Sequence, residues 1–94
     1  MTTEEAYDII CDDIERDRTK KSVSRFFDSE NFGNFIVRFK DKAGIGSVIC
    51  DRRQIDVCDD EEGSKNCRPV VSLFDDVTKD SLLEALNRAV GTRK

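Results

Sequence analysis

Between residues 32 and 40, Phe35, Val37 and Phe39 alternate with Asn34, Ile36, Arg38 and Lys40. A two-residue period of this kind marks a strand with one buried face. It constrains the whole chain, because one such strand needs further strands beside it and a layer to cover its apolar side. The neighbours follow directly. A turn is expected at Asp41-Lys42-Ala43-Gly44, and residues 45–51 and 54–59 read as two strands joined through Asp51-Arg52-Arg53-Gln54 in an antiparallel hairpin. The polar stretch 59–66 contains Gly63 and Asn66 and reads as an exposed loop, and residues 70–74 are short, β-branched and aromatic, the expected last strand.

Helices are expected at both ends. Thr2 and Glu5 have the spacing of a capping box, and Tyr7, Ile10, Cys11 and Ile14 follow at helical intervals, with Glu4, Asp8, Asp12 and Glu15 largely off that stripe. Thr78 offers a second N-cap, Leu82, Leu83, Ala85, Leu86, Ala89 and Val90 form a second apolar face, and Gly91 stands where a C-terminal cap belongs, leaving Arg93 and Lys94 frayed. Residues 22–28 fit either a prolonged first helix or an edge strand. The sum is an α+β fold: an N-terminal helix, an antiparallel meander of four to five strands and a C-terminal helix, with both helices on one face of a single sheet. A chain of 94 residues supports one domain spanning residues 1–94.

The 16 basic and 20 acidic residues leave a net charge of −4, which argues against a nucleic-acid binder relying on an overall positive field. The acidic start and the absence of a long apolar run predict a cytoplasmic protein with no membrane contact. On that expectation Cys11, Cys50, Cys58 and Cys67 are reduced, small buried hydrophobes. They contain no CxxC and the chain has no histidine, so neither a zinc site nor a histidine-based nucleophile is expected. Carboxylate pairs are abundant, but the loop after Cys58 lacks the ligand order of a calcium loop, and Gly44 and Gly46 do not make a phosphate cradle. No catalytic residue and no cofactor are expected.

What remains is charge layout. Asp56, Asp59, Asp60, Glu61 and Glu62 crowd one hairpin arm and its loop, away in sequence from the basic run between Arg16 and Arg25. These acids are the expected partner-binding residues, facing a basic groove on a target such as a nuclease. The stretches Phe32-Gly-Asn-Phe-Ile-Val-Arg-Phe39 and Ser47-Val-Ile-Cys-Asp-Arg-Arg-Gln-Ile-Asp-Val57 resemble small bacterial immunity proteins of polymorphic and contact-dependent growth-inhibition systems, in which a Phe-Gly strand leads to a hairpin carrying Asp-Arg-Gly-Gln. Asp51, Arg52 and Gln54 match that pattern. Arg53 replaces its glycine, which implies a turn of different geometry. The resemblance implies a protein that binds a cognate toxin and blocks it. Two other roles suit the same composition: a non-catalytic subunit or adaptor of a larger complex, using exposed Phe26, Phe27 and Phe32, or a phage-encoded inhibitor of a host nucleic-acid enzyme.

Overall fold

The computed structural model describes residues 1–59 and 66–92. In chain order the elements are α1 (Thr3–Arg16), β1 (Lys21–Asp28), β2 (Asn34–Asp41), β3 (Gly44–Asp51), β4 (Gln54–Asp59), β5 (Cys67–Ser72) and α2 (Lys79–Gly91). The strands form one sheet in the order β1-β2-β3-β4-β5, every neighbouring pair antiparallel, so the expected meander has five strands. The ambiguous segment after α1 is the edge strand β1. It is not a continuation of the helix, because the chain turns at Asp17, which caps α1, and Arg25 of β1 reaches back to Glu15 of the helix at 3.0 Å.

Register explains the layering. Phe35 faces Cys50, which faces Ile55; Val37 faces Val48, which faces Val57. These two rows lie on the same side of the sheet and are almost completely buried together with Phe39. Over them α1 contributes Ala6, Ile10, Cys11 and Ile14, and α2 contributes Leu82 and Leu86. The first helix lies over β1 and β2, the second over β4 and β5, and the two helices touch. Each fully buried large side chain stabilises the fold by about 1.5–3 kcal/mol, so these rows dominate the energetics.

Both helix starts are built locally. The Glu5 N–H donates to the Thr2 hydroxyl and the Thr2 N–H donates to the Glu5 carboxylate, each at 3.1 Å. That backbone donation holds the Glu5 carboxyl below its usual range. Thr78 and Ser81 form the matching reciprocal pair at α2. At the other end α2 continues through Gly91, and Thr92 is the C-cap in a right-handed conformation, so Gly91 does not supply the left-handed cap expected of it. Arg93 and Lys94 lie outside the described residues.

Two further expectations are corrected. The last strand begins at Cys67 and ends at Ser72, earlier than residues 70–74, because its pairing with β4 starts where Cys67 faces Cys58. Pro69 is accommodated because β5 is an edge strand. Leu73 and Phe74 then leave the ladder, with the Leu73 N–H donating to the Arg53 carbonyl at 2.7 Å. The cysteines also divide. Cys11 and Cys50 are free and buried, as expected, whereas Cys58 and Cys67 are joined in a disulfide across β4 and β5, their Cα atoms 4.0 Å apart. Spacing along the chain hides this pair, which only the strand register brings together. No described helix is long and apolar enough to cross a membrane.

In the chain-entropy account, a bridge across a sequence separation of nine residues restricts the unfolded state by about 2–3 kcal/mol. The double variant Cys58→Ser/Cys67→Ser is therefore expected to unfold in urea with that much less stability than the oxidised protein. Wild type treated with dithiothreitol should coincide with the variant. Equal stability of oxidised wild type and variant would show that the pair does not restrain the chain.

Candidate functional site

With one side of the sheet under the helices, no described element covers the other side. Across it runs a row set by register: Phe26 faces Ile36, Ile36 faces Ile49, and Ile49 faces Asp56. Phe26 is 62% exposed, and Ile36 and Ile49 are half-buried. Together they floor a shallow cleft of about 280 Å³ whose rim carries Asp28, Asn34 and Asp51. Asp56 closes the row beyond Ile49 and accepts a 3.3 Å hydrogen bond from the Gln54 amide. The result is an apolar stripe with carboxylates at its edge and end.

The five acids expected to bind a partner fare differently. Asp56 lies on this free face. Asp59, three positions on, faces Gly46 in the set of residues that alternates toward the helices, so Asp56 and Asp59 belong to opposite sides of the sheet. Asp60, Glu61 and Glu62 lie outside the described residues. The sequence run thus does not translate into one acidic face along β4, and the carboxylates that share a face with Asp56 are Asp28 and Asp51, from two other strands.

A second feature occupies the sheet end that carries the β1–β2 loop and the β3–β4 turn. Arg52 and Arg53 are the central residues of a two-residue hairpin turn, with φ values of 50° and 69°. Two left-handed central residues define a type I′ turn, the geometry that suits the twist of antiparallel strands. The expectation that Arg53 would force a different turn is therefore corrected: arginine occupies the left-handed position that glycine would fill without strain. The β1–β2 loop ends in the same way. Phe32 and Gly33 have φ values of 58° and 68°, and the Asn34 N–H donates to the Asn31 carbonyl at 3.0 Å. A Cβ on Gly33 would run into the Thr3 hydroxyl of α1, so glycine there is also a requirement of packing.

Asn34 ties the two turns together. Its side-chain oxygen accepts from the Arg52 backbone N–H at 2.8 Å, and its amide nitrogen donates to Asp51 at 3.3 Å. Phe32, Arg52, Arg53 and Phe74 surround a notch of about 320 Å³. The Arg52 guanidinium stands 6.0 Å from the Phe32 ring centre, and that of Arg53 lies 5.4 Å over Phe74. Phe32 and Phe74 are 69% and 76% exposed. Of the phenylalanines considered for surface contact, Phe26 and Phe32 are exposed, whereas Phe27 packs inward with its ring 5.1 Å from Tyr7 and 6.4 Å from Phe35. Sequence reasoning missed Phe74 because residues 70–74 read as strand throughout.

Other chemistry is sparse. Burial pushes the Cys50 thiol up, opposite to the direction that activates a nucleophile. Among the described residues no three cysteines or carboxylates converge as a metal ion would need. No protein family, curated protein or solved structure matches the chain.

Left-handed conformations cost a residue with a Cβ roughly 1–2 kcal/mol. Arg53→Gly is expected to raise the unfolding free energy by about 1 kcal/mol, after the lost contact with Phe74 is set against the relieved strain. Urea denaturation measures this, and a destabilised variant would show that the Arg53 side chain is held for structural reasons.

Proposed function

We propose that this chain is an immunity protein, a non-catalytic domain that binds a cognate bacterial nuclease toxin and neutralises it by tight protein–protein contact. The observation that carries the reading is the free sheet face, where Phe26, Ile36 and Ile49 form an apolar stripe edged by Asp28, Asp51 and Asp56. A nuclease cleft holds phosphates with lysine and arginine, whose stems are apolar and whose heads are cationic. A stripe to receive the stems and carboxylates to receive the heads answers both ends of such side chains. The net charge of −4 adds attraction at longer range. Asp60, Glu61 and Glu62, outside the described residues, extend the same proposal, and Asp59, on the other side of the sheet from Asp56, joins it only at the end of β4.

A cytoplasmic location in the producing cell goes with this role. Disulfides are ordinarily reduced there, so that location requires the fold to persist with Cys58 and Cys67 as thiols. The exposed Phe26 and Phe32 would serve a non-catalytic subunit or adaptor equally well, and a phage-encoded inhibitor of a host nucleic-acid enzyme would use the same carboxylates.

The test is capture with the tagged protein from its own cells, followed by expression of the captured polypeptide alone and together with this chain. The reading expects one basic polypeptide that arrests growth by itself and is silenced by co-expression. A partner harmless on its own would overturn the toxin role in favour of the subunit reading. Asp51→Lys/Asp56→Lys is expected to weaken affinity by at least about tenfold at low salt. Unchanged affinity would remove the free face from the contact and leave the growth result standing.

A further inference from the structure

The notch at the turn end of the sheet carries two cations, whereas the free face carries both signs, with Asp28, Asp51 and Asp56 around the apolar stripe and Arg38 and Lys40 farther along β2. Among the described residues neither the Arg52 nor the Arg53 guanidinium has a carboxylate within ion-pair distance; exposed Arg18, Lys40 and Lys42 have none either, and what sets Arg52 and Arg53 apart is the aromatic ring beside each. Both free guanidiniums are positioned from two directions. The type I′ turn fixes where the side chains leave the backbone, and the Phe32 and Phe74 rings lie beside their planar heads. Three bulky residues, Phe32, Arg52 and Arg53, hold left-handed conformations that a glycine or asparagine would adopt at lower cost, and all three line this one notch. Strain, two cations and two exposed rings thus gather around one cavity.

We infer that Phe32, Arg52, Arg53 and Phe74 form a receptor for a carboxylate side chain of a protein partner, flanked by apolar residues of that partner. The inference rests on the reading of this chain as a protein-binding domain. Guanidinium groups pair with carboxylates through parallel hydrogen bonds, and ring-backed arginines lose little freedom in doing so. Phenylalanine adds apolar contact and no hydrogen bond, which suits the residues beside a glutamate or aspartate. A nucleic-acid strand fits less well. It would carry its charge past the notch to Asp51, Asp75 and Asp76, all exposed, on a chain of net charge −4. One or two carboxylates stop where the cations stop.

The arrangement also deepens the proposed function. Asn34 links Asp51 on the free face to the backbone of Arg52 at the notch, so the acidic and basic features are adjoining parts of one surface. A partner that fits both presents a cationic side chain and, next to it, an anionic one.

Heteronuclear NMR titration with defined probes tests the inference without the partner. The probes are a blocked Glu-Leu-Glu peptide, its Gln-Leu-Gln counterpart and a single-stranded oligothymidylate. The expected result is saturable movement of the Arg52 and Arg53 side-chain Nε–H signals with the glutamate peptide. Binding should be weaker by about tenfold for the glutamine peptide and for the Arg52→Gln/Arg53→Gln variant, the loss of roughly one charge-assisted contact. Arg52→Lys/Arg53→Lys, which keeps charge without the planar fork, should fall between. Spectral dispersion of each variant reports that it is folded. Equal binding of the two peptides, or no movement with either, overturns the carboxylate receptor, and tighter binding of the oligothymidylate at the same signals replaces it with a nucleic-acid site. None of these outcomes bears on growth rescue, so failure here and failure of the toxin reading are distinguishable.

Discussion

Every feature of this molecule depends on the register that sets Phe35 against Cys50 and Ile55, and Val37 against Val48 and Val57. Side chains alternate along a strand, so a slip of one residue in any pair would carry one strand's apolar set to the other side of the sheet. The rows hold because the helices need them: Ile10 and Ile14 from one end of the chain and Leu82 and Leu86 from the other bury themselves against that side. The same register leaves Phe26, Ile36, Ile49 and Asp56 outside. The free face is thus a consequence of how the core is paired, and its chemistry is whatever the sequence places at the alternate positions.

The turns bear on both stability and display. A two-residue type I′ turn pins the β3–β4 register, since a longer connection would permit slippage. Glycine or asparagine would do this at lower conformational cost than Arg52 and Arg53. Arginine at both positions opposes the stability of the hairpin and sets two cations at the end of the sheet. That cost is local to the turn and leaves the buried rows on the other side of the sheet intact. Among the described residues, non-glycine left-handed strain falls only where Phe32, Arg52 and Arg53 meet solvent.

The local parts of this architecture were legible in the sequence. Thr2 with Glu5 and Thr78 at the second helix announce where the helices start, and the alternation of Phe35, Val37 and Phe39 announces a half-buried strand. The hairpin 51–54 is marked by its two flanking runs. What was not legible depends on partners distant in the chain. Whether Phe26 or Phe27 turns inward is decided by pairing with β2, where Phe27 faces Phe35 and joins Tyr7. The start of β5 and the Cys58–Cys67 bridge depend on a β4–β5 ladder with an irregularity between Ile55 and Asp56. The acidic run divides for a related reason. Residues 56 and 59 are close in sequence but separated by an odd number of steps on a strand, and the sheet divides what the sequence groups.

A surface with both signs in fixed positions selects partners differently from one that is merely acidic. An acidic face alone would attract any basic protein, and net charge of −4 would speed all such encounters alike. Two guanidiniums beside Asp51 penalise a uniformly basic surface, because its lysines and arginines would meet Arg52 and Arg53 at close range. Only a partner that interrupts its positive patch with a carboxylate at the right distance avoids that repulsion. In the proposed role such a surface would separate one basic partner from others by the position of a single acidic side chain. In that role the strain at Arg53 would be the cost of rejecting the wrong partner, set on the far side of the sheet from the core.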